Sequence, residues 1–169
     1  MKRFAFILML AAVCQMAGAQ STAAALRKKL EGKRATFEYT LTVMEKVPVK
    51  HTGTVLLDGD FYLITDNGLE YRCDGKTRWT IDESAKEVYI EESPGTKAFL
   101  AAPTEYLDRI KNLMVGESSA SGVYSDTEQG VKINFVLTSI KTSAPTGDSA
   151  GFTLDTSSLG KEWVVTDLR

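Results

Sequence analysis

The chain has 169 residues, a formal net charge of −2 at pH 7 and a sequence pI of about 5.5. This charge balance argues against nucleic acid as a partner, because proteins that bind nucleic acid present a basic surface to the phosphates. One histidine and two cysteines are too few for a metal centre built from clustered His and Cys ligands. We therefore expect no metal, and the sequence predicts no other cofactor.

The N-terminus has the pattern of a secretory signal peptide. Met1-Lys2-Arg3 is followed by an apolar run from Phe4 to Val13 and by the small residues Ala17-Gly18-Ala19. The apolar run is shorter than the roughly 20 residues that cross a bilayer, and an Ala-x-Ala ending is typical of a cleavage site. The prediction is a signal peptide over residues 1–19 and one exported domain over residues 20–169.

Few residues of the predicted mature chain offer catalytic chemistry. Cys14 falls within the signal peptide, so Cys73 has no partner for an internal disulfide. Its place in an alternating run predicts a small buried apolar residue. His51 lies in a predicted loop or strand entrance, which does not favour a Ser-His-Asp or Cys-His site. Because phosphate-binding loops and nucleophile elbows are also missing, we expect no enzyme activity, although carboxylate-only sites remain open.

The first predicted elements are a short helix and a strand. Ser21 and Thr22 can cap a helix that continues to Leu30 and ends at Gly32. From Thr36 onwards the apolar residues recur with a period of two, which predicts a half-buried strand. These residues are Phe37, Tyr39, Leu41 and Val43.

The same alternation recurs in five short runs separated by turn residues. Asp58-Gly59-Asp60, Asp66-Asn67-Gly68 and Asp74-Gly75 suit the positive backbone dihedrals of tight hairpins. Short strands joined by hairpins predict a mainly β fold with a meandering antiparallel sheet, curled toward a barrel or packed as a sandwich. The alternating pairs are Val55 and Leu57, Phe61 and Leu63, Leu69 and Tyr71, Trp79 and Ile81, and Val88 and Ile90.

A change of period follows Pro94-Gly95. Leu107, Ile110 and Met114 recur at helical spacing, which predicts an amphipathic helix over Thr104–Met114. Strands are then predicted again, first at Val123-Tyr124 and next at the alternating residues Ile133, Phe135 and Leu137.

Three sequence features, in this order, resemble the LolA family of lipoprotein carriers. They are a G-x-hydrophobic strand at Gly53–Leu57, an F-x-hydrophobic strand at Phe61–Ile64, and the hairpin Asp74-Gly75-Lys76-Thr77-Arg78-Trp79. The order of elements and the length agree with that family as well. One difference is that the family's Arg-Pro pair, tied there to cargo release, is replaced here by Leu57-Asp58-Gly59-Asp60.

The resemblance implies an incomplete β-barrel of antiparallel strands, covered by short helices, whose concave face holds acyl chains. It implies a periplasmic chaperone that carries lipoproteins from the inner to the outer membrane. The expected partners are acylated lipoproteins, an inner-membrane lipoprotein-releasing transporter and an outer-membrane acceptor, with transient membrane contact and a monomeric state. A lipid-binding sensor or presentation module without transfer is the main alternative, and a periplasmic enzyme or structural sandwich domain is also open.

The resemblance and the period of two together predict which residues line the lipid cavity. Leu107, Ile110 and Met114 are expected to turn toward the concave side as a lid. The predicted lining consists of Phe37, Tyr39, Leu41, Val55, Leu57, Phe61, Leu63, Trp79, Ile81, Val88, Ile90, Leu107, Ile110, Met114, Ile133, Phe135 and Leu137.

Overall fold

The computed structural model describes residues 22–126 and 130–169, so the predicted signal peptide lies outside the described residues. A helix, α1, spans residues 22–30 as predicted, and 3-10 helices occupy Pro103–Arg109, Ala150–Phe152 and Thr156–Ser158. The strands are β1 (Arg34–Val43), β2 (Val49–Asp58), β3 (Phe61–Asp66), β4 (Leu69–Cys73), β5 (Thr77–Asp82), β6 (Glu87–Glu92), β7 (Ile110–Val115), β8 (Ala120–Asp126), β9 (Val131–Ser143) and β10 (Val164–Asp167).

All ten strands belong to one open sheet with the order β10-β6-β5-β4-β3-β2-β1-β9-β8-β7. Strands β1 to β6 form the predicted antiparallel meander, which confirms a mainly β fold. Among the strands that the structure describes, β10 is the exception to the antiparallel pattern, because it pairs with β6 in parallel. Between β9 and β10 the chain packs over the face of the sheet that carries Phe61, Trp79 and Val88.

Gly53 allows β2 and β3 to approach closely. A Cβ atom at Gly53 would lie 1.8 Å from the carbonyl oxygen of Thr65, so a side chain cannot be accommodated without moving backbone. Tyr39 lies opposite Gly53 in the β1–β2 register, and its hydroxyl donates to the same carbonyl oxygen at 2.9 Å. These contacts tie the end of β3 to β1 and favour curvature of the sheet.

One face of the sheet, here called the inner face, carries the larger part of the core. Phe37 lies opposite Val55, and Leu41 lies opposite Phe135 across the neighbouring pair. Residues directly opposite each other share a face, so these apolar side chains form one cluster. The buried members on the sheet include Phe37, Tyr39, Val55, Leu57, Tyr62, Ile64, Cys73, Phe135 and Leu137.

Six predicted lining residues lie on the opposite, outer face, so the prediction of one shared face is wrong for them. Leu57 pairs with Tyr62, which puts Phe61 on the other side of the sheet. Trp79 pairs with Arg72, which likewise belongs to the outer face. Alternation fixes the two faces of each strand but not which face is shared across a hairpin. The six residues are Phe61, Leu63, Trp79, Ile81, Val88 and Ile90.

Residues 144–163, here called the C-terminal strap, explain why this outer face is apolar. The ring of Phe152 in the strap is buried and lies 5.6 Å from that of Phe61. Arg72 on β4 donates to the carbonyl oxygen of Thr153 at 2.9 Å. Further along, Leu154, Leu159 and Trp163 pack against a second buried cluster formed by Trp79, Ile81, Val88 and Ile90.

The predicted helix over Thr104–Met114 is also wrong in its second half. The segment Pro103–Arg109 is a 3-10 helix, and Ile110–Val115 is strand β7, paired with β8. Asn112 has a φ of 53°, and the β7–β8 register shifts between Lys111 and Met114. The bulge inserts an extra residue, so Ile110 and Leu113, three positions apart, both pack against the core as they would on a helix, whereas Met114 is exposed. Within residues 22–126 and 130–169, none of the helices has the length and hydropathy needed to cross a bilayer.

Candidate functional site

A cavity of about 450 Å³ opens on the inner face of the sheet. Its walls come from strands as far apart as β5 and β8, between which five other strands lie in the sheet order. A flat sheet could not place these strands around one cavity, so the sheet must curl around it. The lining consists of Tyr39, Leu41, Tyr62, Ile64, Asp66, Tyr71, Arg78, Ala98, Phe99, Leu100, Tyr106, Tyr124, Asp126, Val131 and Ile133.

An aromatic cluster forms the wall opposite β1 and β3. The ring of Phe99 stacks on Tyr124 with centroids 4.9 Å apart, and Tyr106 meets Tyr124 edge-on at 5.5 Å. The hydroxyl of Tyr106 donates to the carbonyl oxygen of Lys97. This bond and the ring contacts hold the segment after β6 across part of the inner face.

Two charged residues of the cavity wall have partners among the described residues. Asp66 hydrogen-bonds the Nδ1 atom of His51 at 3.0 Å. Arg78 donates to Glu91 on the neighbouring strand, at 3.1 Å through its Nε atom. Asp66 and Arg78 are therefore paired within the protein, and most of the remaining lining side chains are apolar or aromatic.

Burial raises the pKa of three cavity tyrosines above the ordinary value of 10.0. Burial first and the neighbouring Cys73 thiol second raise the pKa of Tyr62 to about 12. Burial and the Asp66 carboxylate raise the pKa of Tyr39 and that of Tyr71 above the ordinary value. These side chains are uncharged hydroxyl donors at neutral pH, as any tyrosine is, and the raised pKa values keep them uncharged to a higher pH.

The predicted lining residues divide into four groups in the structure. Tyr39, Leu41 and Ile133 line the cavity itself. Phe37, Val55, Leu57, Phe135 and Leu137 are buried in the core of the inner face, and Leu107 and Ile110 pack against the same core. Phe61, Leu63, Trp79, Ile81, Val88 and Ile90 lie on the outer face, as described above. Met114 is 67% exposed, so its predicted part in a lid is wrong.

Several lining residues were not predicted. Tyr62 and Ile64 alternate with Phe61 and Leu63 in β3, so all four positions are apolar and the period gives no preference between the two faces. Phe99 lies in an irregular segment between β6 and the 3-10 helix, where no periodic signal exists. The hairpin turns indicated where the strands lie, but they could not indicate that Tyr62, Ile64 and Phe99 line the cavity.

No protein-family model matches the sequence, and no curated protein matches it significantly. Function must therefore be inferred from the cavity and from the residues that build it.

The cavity suits an apolar ligand of modest size. Its volume lies within the range of about 300–1,000 Å³ that is typical of small-ligand sites. A methylene group occupies about the volume of a water molecule in the liquid, roughly 30 Å³, so about 450 Å³ holds on the order of 15 such groups. The volume therefore corresponds to a ligand of on the order of 15 non-hydrogen atoms.

Proposed function

We propose that this protein is a non-catalytic carrier of acyl chains that takes lipoproteins across the periplasm, from the inner to the outer membrane. The observation that supports this most strongly is the open apolar cavity enclosed by the curled sheet and the segment around Phe99. An ordinary filled core would leave no such volume beside the buried residues of the inner face.

The physical need for a carrier follows from the hydrophobic effect. An acyl chain of about 16 carbons in water costs about 0.8 kcal/mol per methylene, or roughly 12 kcal/mol in total. A wall of Leu41, Ile64, Ile133 and aromatic rings offers apolar area with few directional bonds. Such a wall can shelter a chain and still release it, because no single contact dominates binding.

In this proposal the fold is an incomplete barrel covered by short elements. Leu26 and Leu30 of α1 belong to the same buried cluster as Leu57 and Phe99, and Leu107 of the 3-10 helix packs against it. The cover therefore consists of α1 and the segment before β7, rather than of the helix predicted over Thr104–Met114.

A sensor or presentation module is a second candidate, favoured by the hairpin that replaces the Arg-Pro pair. Asp58 is 1% exposed, and its carboxylate lies 2.8 Å from the guanidinium of Arg34. The same carboxylate accepts hydrogen bonds from the hydroxyl and the backbone N–H of Thr146. This pairing fixes the β2–β3 hairpin to both β1 and the strap. A β2–β3 hairpin fixed in this way cannot easily move to release a lipid, which favours a protein that retains its lipid.

Mass spectrometry of lipids and lipoproteins that co-purify with the protein tests the proposal. A carrier is expected to bring down acylated lipoproteins and to pass them from inner-membrane vesicles to outer-membrane vesicles. A sensor would retain lipid without this transfer. Purification without any acylated molecule, together with no uptake of added acyl chains, would contradict both candidates.

A further inference from the structure

The hairpin tip between β1 and β2 is an exposed apolar projection. We define the tip as residues 44–49. Its side chains Met44, Val47 and Val49 are 48%, 75% and 45% exposed. Apolar side chains clustered on a projection cost free energy in water unless something covers them part of the time.

This tip adjoins the cavity. Val43, the last residue of β1, pairs with Ile133 of β9, and Ile133 lines the cavity. The next residue, Met44, donates its backbone N–H to the carbonyl oxygen of Lys132 at 2.8 Å. The tip therefore starts directly beyond a strand pair, Val43 and Ile133, that borders the cavity.

Charge at the tip favours anionic headgroups. Lys46 and Lys50 flank Val47 and Val49 in sequence, and Lys132 lies on the adjacent strand; all three lysines are exposed. Long lysine side chains can reach the headgroup layer while nearby apolar side chains enter the boundary of the acyl region. Glu45 is the opposing charge within the tip, and the carboxylate of Asp66, on the cavity wall behind it, is bonded to His51.

We propose that the tip inserts into the surface of an anionic phospholipid bilayer and places the cavity against the membrane from which its ligand comes. A narrow tip with three apolar side chains fits a fluid lipid surface better than a protein partner, since stable protein interfaces bury about 800 Å² on each side. This inference rests on the proposed function, because it supplies the route by which an acyl chain passes between membrane and cavity.

Vesicle co-sedimentation tests the proposal, with the whole protein expressed in cells and purified from them. The wild type is expected to bind vesicles of equal parts phosphatidylglycerol and phosphatidylcholine, and to bind phosphatidylcholine vesicles about tenfold more weakly. The double variant Val47→Asp/Val49→Asp should bind the anionic vesicles at least about tenfold more weakly than the wild type. Lys46→Glu/Lys50→Glu should lose the preference for phosphatidylglycerol.

The matched control is Val164→Asp/Val165→Asp on β10, where the valines are 58% and 43% exposed. It carries the same added charge at similar exposure and should bind vesicles as the wild type does. Equal binding by tip variant and control, equal binding of the wild type to both vesicle types, or no binding at all would overturn the proposal.

Uptake of a fluorescent acyl probe in the absence of vesicles separates this proposal from the proposed function. The tip variant should still bind the probe as the wild type does, with an unchanged thermal midpoint. If the wild type fails to bind the probe, the carrier proposal fails. If the probe binds but the tip variant still binds vesicles normally, only the membrane-insertion proposal fails.

Discussion

The Oδ2 atom of Asp58 lies 2.5 Å from the hydroxyl oxygen of Thr146, a residue 88 positions later in the chain. Asp58 ends β2, and Thr146 lies in the strap shortly after β9, so this bond joins the meander to the chain that crosses the outer face. Arg34 at the start of β1 completes the group, with its Nη1 atom 2.8 Å from the same oxygen. The fold therefore has a buried polar junction between its first and last parts.

Asp58→Asn should destabilise the protein by about 1.5–3 kcal/mol, because it removes charged hydrogen bonds to Arg34 and Thr146. The matched control is Asp60→Asn in the same hairpin. Asp60 has a side chain that is 78% exposed and pairs with Lys97, so its loss should cost less than about 1 kcal/mol. Urea unfolding of the three proteins measures the difference, and equal losses for the two variants would contradict a special role for Asp58.

The same junction predicts a dependence of stability on acidic pH. Burial alone would raise the pKa of Asp58, but hydrogen bonds from Thr146 and Arg34 outweigh it and hold the pKa below its ordinary value of 3.8. The stabilisation is complete well above pH 3.8 and is lost as the pH falls through the lower folded-state pKa. Asp58→Asn should therefore show a shallower acid-induced loss of stability than the wild type.

Gly53→Ala should cost more than about 3 kcal/mol, the upper end of ordinary overpacking, because the new methyl group meets the Thr65 carbonyl oxygen. Gly95→Ala is the control, since no heavy atom lies within 4 Å of the Cβ built there and its φ is not positive. That variant should change stability by less than about 1 kcal/mol. A shift in the thermal midpoint that is the same for both would show that β2 and β3 do not need their close approach.

Phe152→Ala tests the division of the sheet into two faces. Phe152 is 1% exposed in the strap, so its truncation should lower the free energy of unfolding by about 3–5 kcal/mol. Binding of an acyl probe below the melting range should be unchanged, because Phe152 contacts the outer face. A large loss of probe affinity in the folded variant would contradict the separation of strap and cavity.

Alkaline pH should weaken the fold through the cavity tyrosines. The pKa of Tyr62 is raised to about 12 from 10.0, chiefly by burial. Its stabilisation is complete below pH 10 and is lost as the pH rises through about 12, because the unfolded chain releases this proton first. Tyr62→Phe should reduce the decline in unfolding free energy across that range, whereas an identical decline in both proteins would place its source elsewhere.

Local patterns in the sequence were sufficient to predict strands β1 to β6 and the turns between them, but not β7, which was predicted as helix. The Asp66-Asn67-Gly68 turn is an example: Asn67 and Gly68 have φ values of 48° and 96°, as a tight hairpin requires. The buried, strand-bound Cys73 was predicted for the same reason, since its neighbours alternate. These features depend on residues close together in the chain.

The arrangement of faces depends on distant residues and could not be predicted in this way. Trp79 and Val88 alternate as clearly as Phe37 and Tyr39, but their apolar side is covered by strap residues such as Trp163. No sequence pattern near Trp79 indicates that the strap covers this face. The bulge at Asn112 is a second case, because a shift of register within β7 imitated the spacing of a helix.

Binding of a fluorescent acyl probe to cavity and control variants tests the central claim most directly. Ile133→Trp fills the cavity from β9, whereas Val136→Trp adds the same ring on the opposite, exposed face of that strand. We expect saturable binding by the wild type and by Val136→Trp, and at least about tenfold weaker binding by Ile133→Trp with its fold retained. Equal binding by the two variants, or no binding by the wild type, would contradict an acyl-binding cavity on the inner face.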